Sequence, residues 1–150
     1  MKEYKSKLPE LSLKYKTGEI NRIKVTSSRD IEKFIRKLFD ADTIEYSEEF
    51  LIVLLNRANN TIGYAKISSG GIAGTVVDIK MILTYFIKSG ASSMIMAHNH
   101  PSGNLQPSKA DKTITNKVQN ALSYMDGILL DHIIVTNESY FSFTDEGLTC

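Results

Sequence analysis

The chain has 150 residues, with 18 basic and 17 acidic side chains, 42% hydrophobic residues, three histidines and a single cysteine at its last position. That length suits one domain with a core of its own. The lone Cys150 excludes an internal disulfide, a thiolate-rich zinc ribbon and the two-cysteine zinc site of nucleobase deaminases. Any metal must be held by nitrogen and oxygen, and a formal net charge of +1 gives no sign of phosphate-backbone binding by the domain as a whole.

The first seven residues are charged and polar with no apolar run behind them, which argues against a secretory signal or membrane anchor. No stretch of about 18 apolar residues follows, so a soluble, cytoplasmic protein with no membrane partner is expected. Residues 1–27 mix short apolar runs with many lysines and read as an N-terminal arm or edge strand ahead of a domain over 28–150.

From Ser28 the apolar residues Ile31, Phe34, Ile35, Leu38 and Phe39 share one helix face, with Ser28 as the expected N-cap. The run Phe50-Leu51-Ile52-Val53-Leu54-Leu55 reads as a strand buried on both faces. Turn chemistry at Ala58-Asn59-Asn60-Thr61 then leads to a second strand over 62–67, forming a hairpin. Residues 68–75 read as a flexible, glycine-rich loop without the Gly-Lys-Ser/Thr ending of a phosphate loop.

Helical spacing returns over 78–88 and closes at Ser89-Gly90. A short buried strand over 92–97, a loop over 98–107 and a long helix over 108–125 follow, and strands over 129–135 and 140–143 end the chain. Alternating strands and helices with hairpins at both ends imply an α/β fold, a mixed central sheet flanked by helices.

The chemistry concentrates in His98-Asn99-His100-Pro101-Ser102-Gly103-Asn104-Leu105-Gln106-Pro107-Ser108-Lys109-Ala110-Asp111. Histidines at i and i+2 on extended backbone point the same way and can converge on one ion. A catalytic zinc wants about three nitrogen or oxygen ligands and one open position. Asp111 is the natural third ligand, because it falls in the first turn of a helix that starts after a proline, near the positive end of the helix dipole. The competing reading makes Ser108 and Asp111 a plain capping box and the histidine segment only a loop. The adjacent letters His-Asn-His carry no link to the HNH nucleases, whose three residues are scattered through a ββα unit.

His98-Asn99-His100-Pro101-Ser102-Gly103, followed by Pro107-Ser108 and Asp111, resembles the JAMM (JAB/MPN) metalloprotease motif in the form found in the RadC family: an upstream Glu, then His-x-His-Pro, then Ser-x-x-Asp. Glu48-Glu49-Phe50, Leu54-Leu55-Asn56, Gly70-Gly71 to Thr75, Asp131-His132-Ile133-Ile134 and Tyr140-Phe141-Ser142-Phe143 are also similar to RadC-type sequences, so the resemblance covers roughly 28–147.

The resemblance implies a JAB/MPN, cytidine-deaminase-like α/β/α arrangement and one zinc ion on His98, His100 and Asp111 with water as fourth ligand. It further implies a general base at Glu48, an oxyanion donor at Ser108, and hydrolysis of a peptide or isopeptide amide bond. Adjacent residues of an extended strand face opposite ways, so Glu49 competes with Glu48, as does Glu45; Glu48 is favoured.

By the family's name, a second class of function stays open: a DNA-repair module acting through DNA or repair proteins. Full-length relatives of the family usually carry an additional helical region of DNA-binding type ahead of the domain, and a chain of this length is expected to be too short to include one. His132, far in sequence from the motif, reads as a hydrogen-bonded scaffold histidine. Tyr140, Phe141 and Phe143 read as packing, and Cys150 has no assigned role.

Overall fold

The computed structural model of the protein describes residues 22–70 and 76–149. Most of the expected arm, part of the loop over 68–75, and Cys150 lie outside those residues. The described end of the arm runs beside the first hairpin, where Lys24 bridges Asn60 and the Val25 N–H donates to the Asn59 carbonyl.

An uninterrupted apolar run can only be buried on both sides, and β1 (Glu49–Leu55) is the second strand of a five-stranded sheet ordered β2-β1-β3-β4-β5. It pairs antiparallel with β2 (Thr61–Ser69) and with β3 (Ser93–Asn99). β3 runs parallel to β4 (Ile128–Val135), and β5 (Tyr140–Ser142) closes the edge antiparallel to β4. The sheet is mixed and the fold is α/β, as the order of elements implied.

Alternation along the strands sorts the core into two layers. Phe50, Ile52 and Leu54 face one side with Met94 and Met96, packed on Ile82 and Phe86 of α2 (Ile79–Ser89) and on Val118 and Leu122 of α3 (Lys109–Ser123). Leu51, Val53 and Leu55 face the other side with Ile95 and Ala97, packed on Ile31 and Ile35 of α1 (Ser28–Arg36). Among the described residues no helix is long and apolar enough to cross a membrane.

Several boundaries differ from the sequence reading; β2, for one, runs to Ser69 and takes in the first two residues of the expected loop over 68–75. The cap of α1 is Ser27, whose Oγ accepts from the Asp30 N–H, whereas Ser28 is the first helical residue and donates its hydroxyl to Asp145. That helix ends at Arg36, whose guanidinium reaches across to the Thr136 and Ser139 carbonyls of the β4–β5 turn, and residues 37–39 continue in turns that still bury Phe39. Most important for the site, β3 does not stop at Ala97. His98 pairs with Phe50 on one side and Ile134 on the other, so His98 and Asn99 belong to the strand and only His100 begins the loop.

Candidate metal centre

Extending β3 by two residues fixes the positions of both histidines. His98 continues the side of the sheet occupied by Met94 and Met96, beneath α3, and its ring is wholly buried, stacked at 5.8 Å on Phe50. His100 leaves the strand on the same side, held by a hydrogen bond from its N–H to the Val135 carbonyl. The loop then turns back at Gly103, whose φ of 82° lies in the left-handed region that favours glycine. This return brings the Asn104 carbonyl to 2.6 Å from His100 Nδ1. A carbonyl only accepts, so Nδ1 carries the hydrogen and a neutral His100 presents a bare Nε2.

The third member arrives on α3. Ser108 caps this helix by accepting from the Asp111 N–H at 3.0 Å, while the Ser108 N–H donates to Asp111 Oδ2 at 2.8 Å. The plain capping box is therefore real, and it also orients the carboxylate. Asp111 Oδ1 lies 3.2 Å from His98 Nε2 and Oδ2 lies 3.2 Å from His100 Nε2, with the two imidazole nitrogens 2.9 Å apart.

Donors about 2.0–2.1 Å from a tetrahedral ion stand about 3.3 Å from one another, so the observed spacing fits one small cation. His98, His100 and Asp111 are brought together as a group that could hold a metal. Their nitrogen and oxygen donors suit zinc among other divalent ions.

The titrations follow this crowding. Burial raises Asp111, but the contacts of its carboxylate with the His100 and His98 rings outweigh it and hold the carboxyl far below the usual carboxylate range. Burial lowers His100, yet the Asp111 carboxylate and the Asn104 carbonyl leave it above its ordinary value. Burial is the main cause that raises Glu48, opposed by the two histidines and assisted by Asp111.

Glu48 precedes β1 and borders two clefts, of about 550 and 510 Å3, one shared with His100 and Ser108 and the other with Phe50 and Asp111. Glu49 is drawn away to Lys66 on β2, its Oε2 3.1 Å from Nζ. Glu45 is exposed on the rim of the first cleft. The Ser108 hydroxyl uses a lone pair, not its hydrogen, in the cap.

One supporting residue escaped the sequence reading. Asn99 points to the opposite side from the histidines and is almost fully buried. Its Oδ1 accepts from the Glu49 N–H at 2.7 Å, and its Nδ2 donates to the Ile44 and Ser47 carbonyls at 2.8 Å each. It thus ties the segment carrying Glu48 to the strand carrying His98.

His132, as expected, is a buried and hydrogen-bonded histidine, but its partner is His98, Nδ1 to Nε2 at 2.8 Å. Its distance in sequence misled, because the parallel β3–β4 pairing brings the two together. Burial is the first cause that pushes the His132 pKa well down, and its ring stacks on Phe143 at 4.6 Å.

The family model described as the RadC-like JAB domain matches residues 25–148. The chain belongs to that family. Among curated proteins this RadC-like chain is 40% identical over 140 residues to a UPF0758 protein of Flavobacterium johnsoniae, covering 93% of the chain and 60% of that relative. It is 40% identical over 102 residues to a UPF0758 protein of Porphyromonas gingivalis, covering 67% of the chain and 45% of the relative. It is 39% identical over 101 residues to the UPF0758 protein YfjY of Escherichia coli, covering 67% of the chain and 63% of that relative. The chain therefore spans between 45% and 63% of the length of these relatives.

Proposed function

We propose that this RadC-like domain is a zinc-dependent hydrolase of a peptide or isopeptide amide bond. The observation that carries the reading is the convergence of His98 Nε2, His100 Nε2 and the Asp111 carboxylate within 2.9–3.2 Å, beside a half-buried carboxylate at Glu48. Zinc on such a donor set supplies a Lewis acid and lowers the pKa of bound water towards about 7.

The chain's own residues would do the rest. Glu48, with its proton affinity raised by burial, takes a proton from the attacking water and returns it to the leaving amine; a carboxylate tuned towards neutrality suits both transfers. Ser108 keeps its hydroxyl hydrogen while capping α3 and donates it to the oxygen on which charge develops, a role worth about 2.7–4 kcal/mol where such donors have been removed. The two clefts that Glu48 borders would give room for an extended chain beyond the cleaved bond, which favours a polymeric amide over a small amide.

The test pairs metal analysis with turnover. The purified protein should bind one zinc per chain and cleave members of a peptide and isopeptide panel. Glu48→Gln should keep the zinc and lose cleavage by about 100-fold or more. Cleavage that survives in Glu48→Gln, or that persists undiminished after chelation, would overturn this reading.

A further inference from the structure

We propose that Thr115 and His132 form a hydrogen-bond relay that fixes the tautomer and aim of His98, making both of them positioning residues of the metal centre. This rests on the metal reading above and extends it to two residues that are not themselves among its ligating groups. The chain of contacts is short. Thr115 Oγ1 lies 2.7 Å from the Asp111 carbonyl and 2.7 Å from His132 Nδ1, and His132 Nε2 lies 2.8 Å from His98 Nδ1.

Hydrogen counting gives one solution. A hydroxyl has one hydrogen and a carbonyl has none. Were the Thr115 hydrogen turned to His132, two oxygens would face each other at 2.7 Å with nothing between them, and with Thr115 only 1% exposed there is no bulk water to relieve them. The hydroxyl therefore donates to the Asp111 carbonyl and accepts from His132 Nδ1–H. A neutral His132 then has a bare Nε2, which accepts from His98 Nδ1–H.

The hydrogen of neutral His98 is thus on Nδ1, leaving its Nε2 as a lone pair aimed at His100 Nε2 and Asp111. With both imidazoles neutral, they and the carboxylate present lone pairs to one point, which a metal ion, or a proton in its absence, relieves. The relay begins on the backbone of the residue whose carboxylate completes the group, so β3, β4 and α3 close one circuit. Fixing the tautomer and orientation of a ligating histidine through its other nitrogen is what such outer partners do, and their loss typically costs about 10–100-fold in metal affinity.

The placement explains two otherwise odd residues. The inward stripe of α3 runs from the half-buried Asp111 to the buried Thr115, Val118 and Leu122, turning from polar to apolar at the level where the site gives way to core. His132 stands in a strand whose neighbours Ile133 and Ile134 are fully buried.

The experiment uses the whole chain and zinc itself. Thr115→Val, nearly isosteric and without a donor or acceptor, should bind zinc about 10–100-fold more weakly in chelator competition, and Thr115→Ser should restore affinity to within about twofold. Nitrogen-resolved NMR of the metal-free wild type should find His98 protonated at Nδ1, with that preference lost in Thr115→Val. His132→Gln serves as a second variant, and its thermal unfolding separates a folding defect from weakened binding.

Wild-type zinc affinity in Thr115→Val, or a wild-type His98 protonated at Nε2, overturns the relay. A wild type that binds no zinc overturns the metal reading instead, and the NMR tautomer of His98 still decides the relay.

Discussion

Replacing Asn99 by alanine removes three hydrogen bonds at once: the acceptor of the Glu49 N–H and the donors to the Ile44 and Ser47 carbonyls, at 2.7, 2.8 and 2.8 Å. A typical intramolecular hydrogen bond contributes about 1 kcal/mol net, and a buried group left unsatisfied costs about 1–3 kcal/mol. Three such groups surround a side chain that is 1% exposed, so the expected loss is about 3 kcal/mol or somewhat more.

For a chain of this size each kcal/mol moves Tm by roughly 2–4 °C, which predicts a fall of roughly 10 °C. Urea unfolding should show a lower midpoint with an unchanged m-value. His98 and His100 keep their places on β3, so zinc should still bind. Glu48, released from the strand, should lose cleavage by more than the stability loss accounts for. Asn99→Asp sharpens the test by keeping the bond to Glu49 while setting an oxygen against two carbonyls. An Asn99→Ala protein with wild-type Tm, or one that loses zinc as completely as His98→Ala, would refute the reasoning.

Three further outcomes follow from the geometry. His98→Ala should abolish stoichiometric zinc binding, read by elemental analysis, because it leaves only His100 and Asp111 at the site.

In the metal-free protein Asp111 is depressed in the fold, so its contribution to stability is complete above its ordinary 3.8 and is lost as pH falls. His100 is raised, so its contribution is complete below 6.5 and is lost as pH rises through its elevated value. Tm of the metal-free form should therefore decline on both sides of that window, and Asp111→Asn should flatten both declines; an unchanged profile in that variant would count against the pairing.

Gly127→Ala would set a Cβ 2.6 Å from the Phe86 ring and 3.3 Å from Leu122. Overpacking there should cost about 1–3 kcal/mol in equilibrium unfolding with zinc binding retained.

The amino-acid order by itself determined the elements and the donor set. An apolar run that alternation cannot split required a strand covered on both faces, and β1 is that strand. Two histidines one residue apart and a carboxylate in the first turn after Ser108 are local geometry, and local geometry is legible from spacing.

Tertiary structure decided the rest. Strand length was set by pairing partners, so β3 ran on to Asn99 because Phe50 and Ile134 were there to bond His98. The capping residue of α1 was set by Asp145, 117 residues away, which engages Ser28. Which of Glu48 and Glu49 borders the cleft came from where β1 begins and pairs, which sets Glu49 beside Lys66 of the neighbouring strand.

His132 and Thr115 carry no local mark, since their meaning comes from a parallel strand pairing and a helix packed over it. Hydrogen bonds between elements depend on where distant backbone lies, and the sequence states that only through the fold.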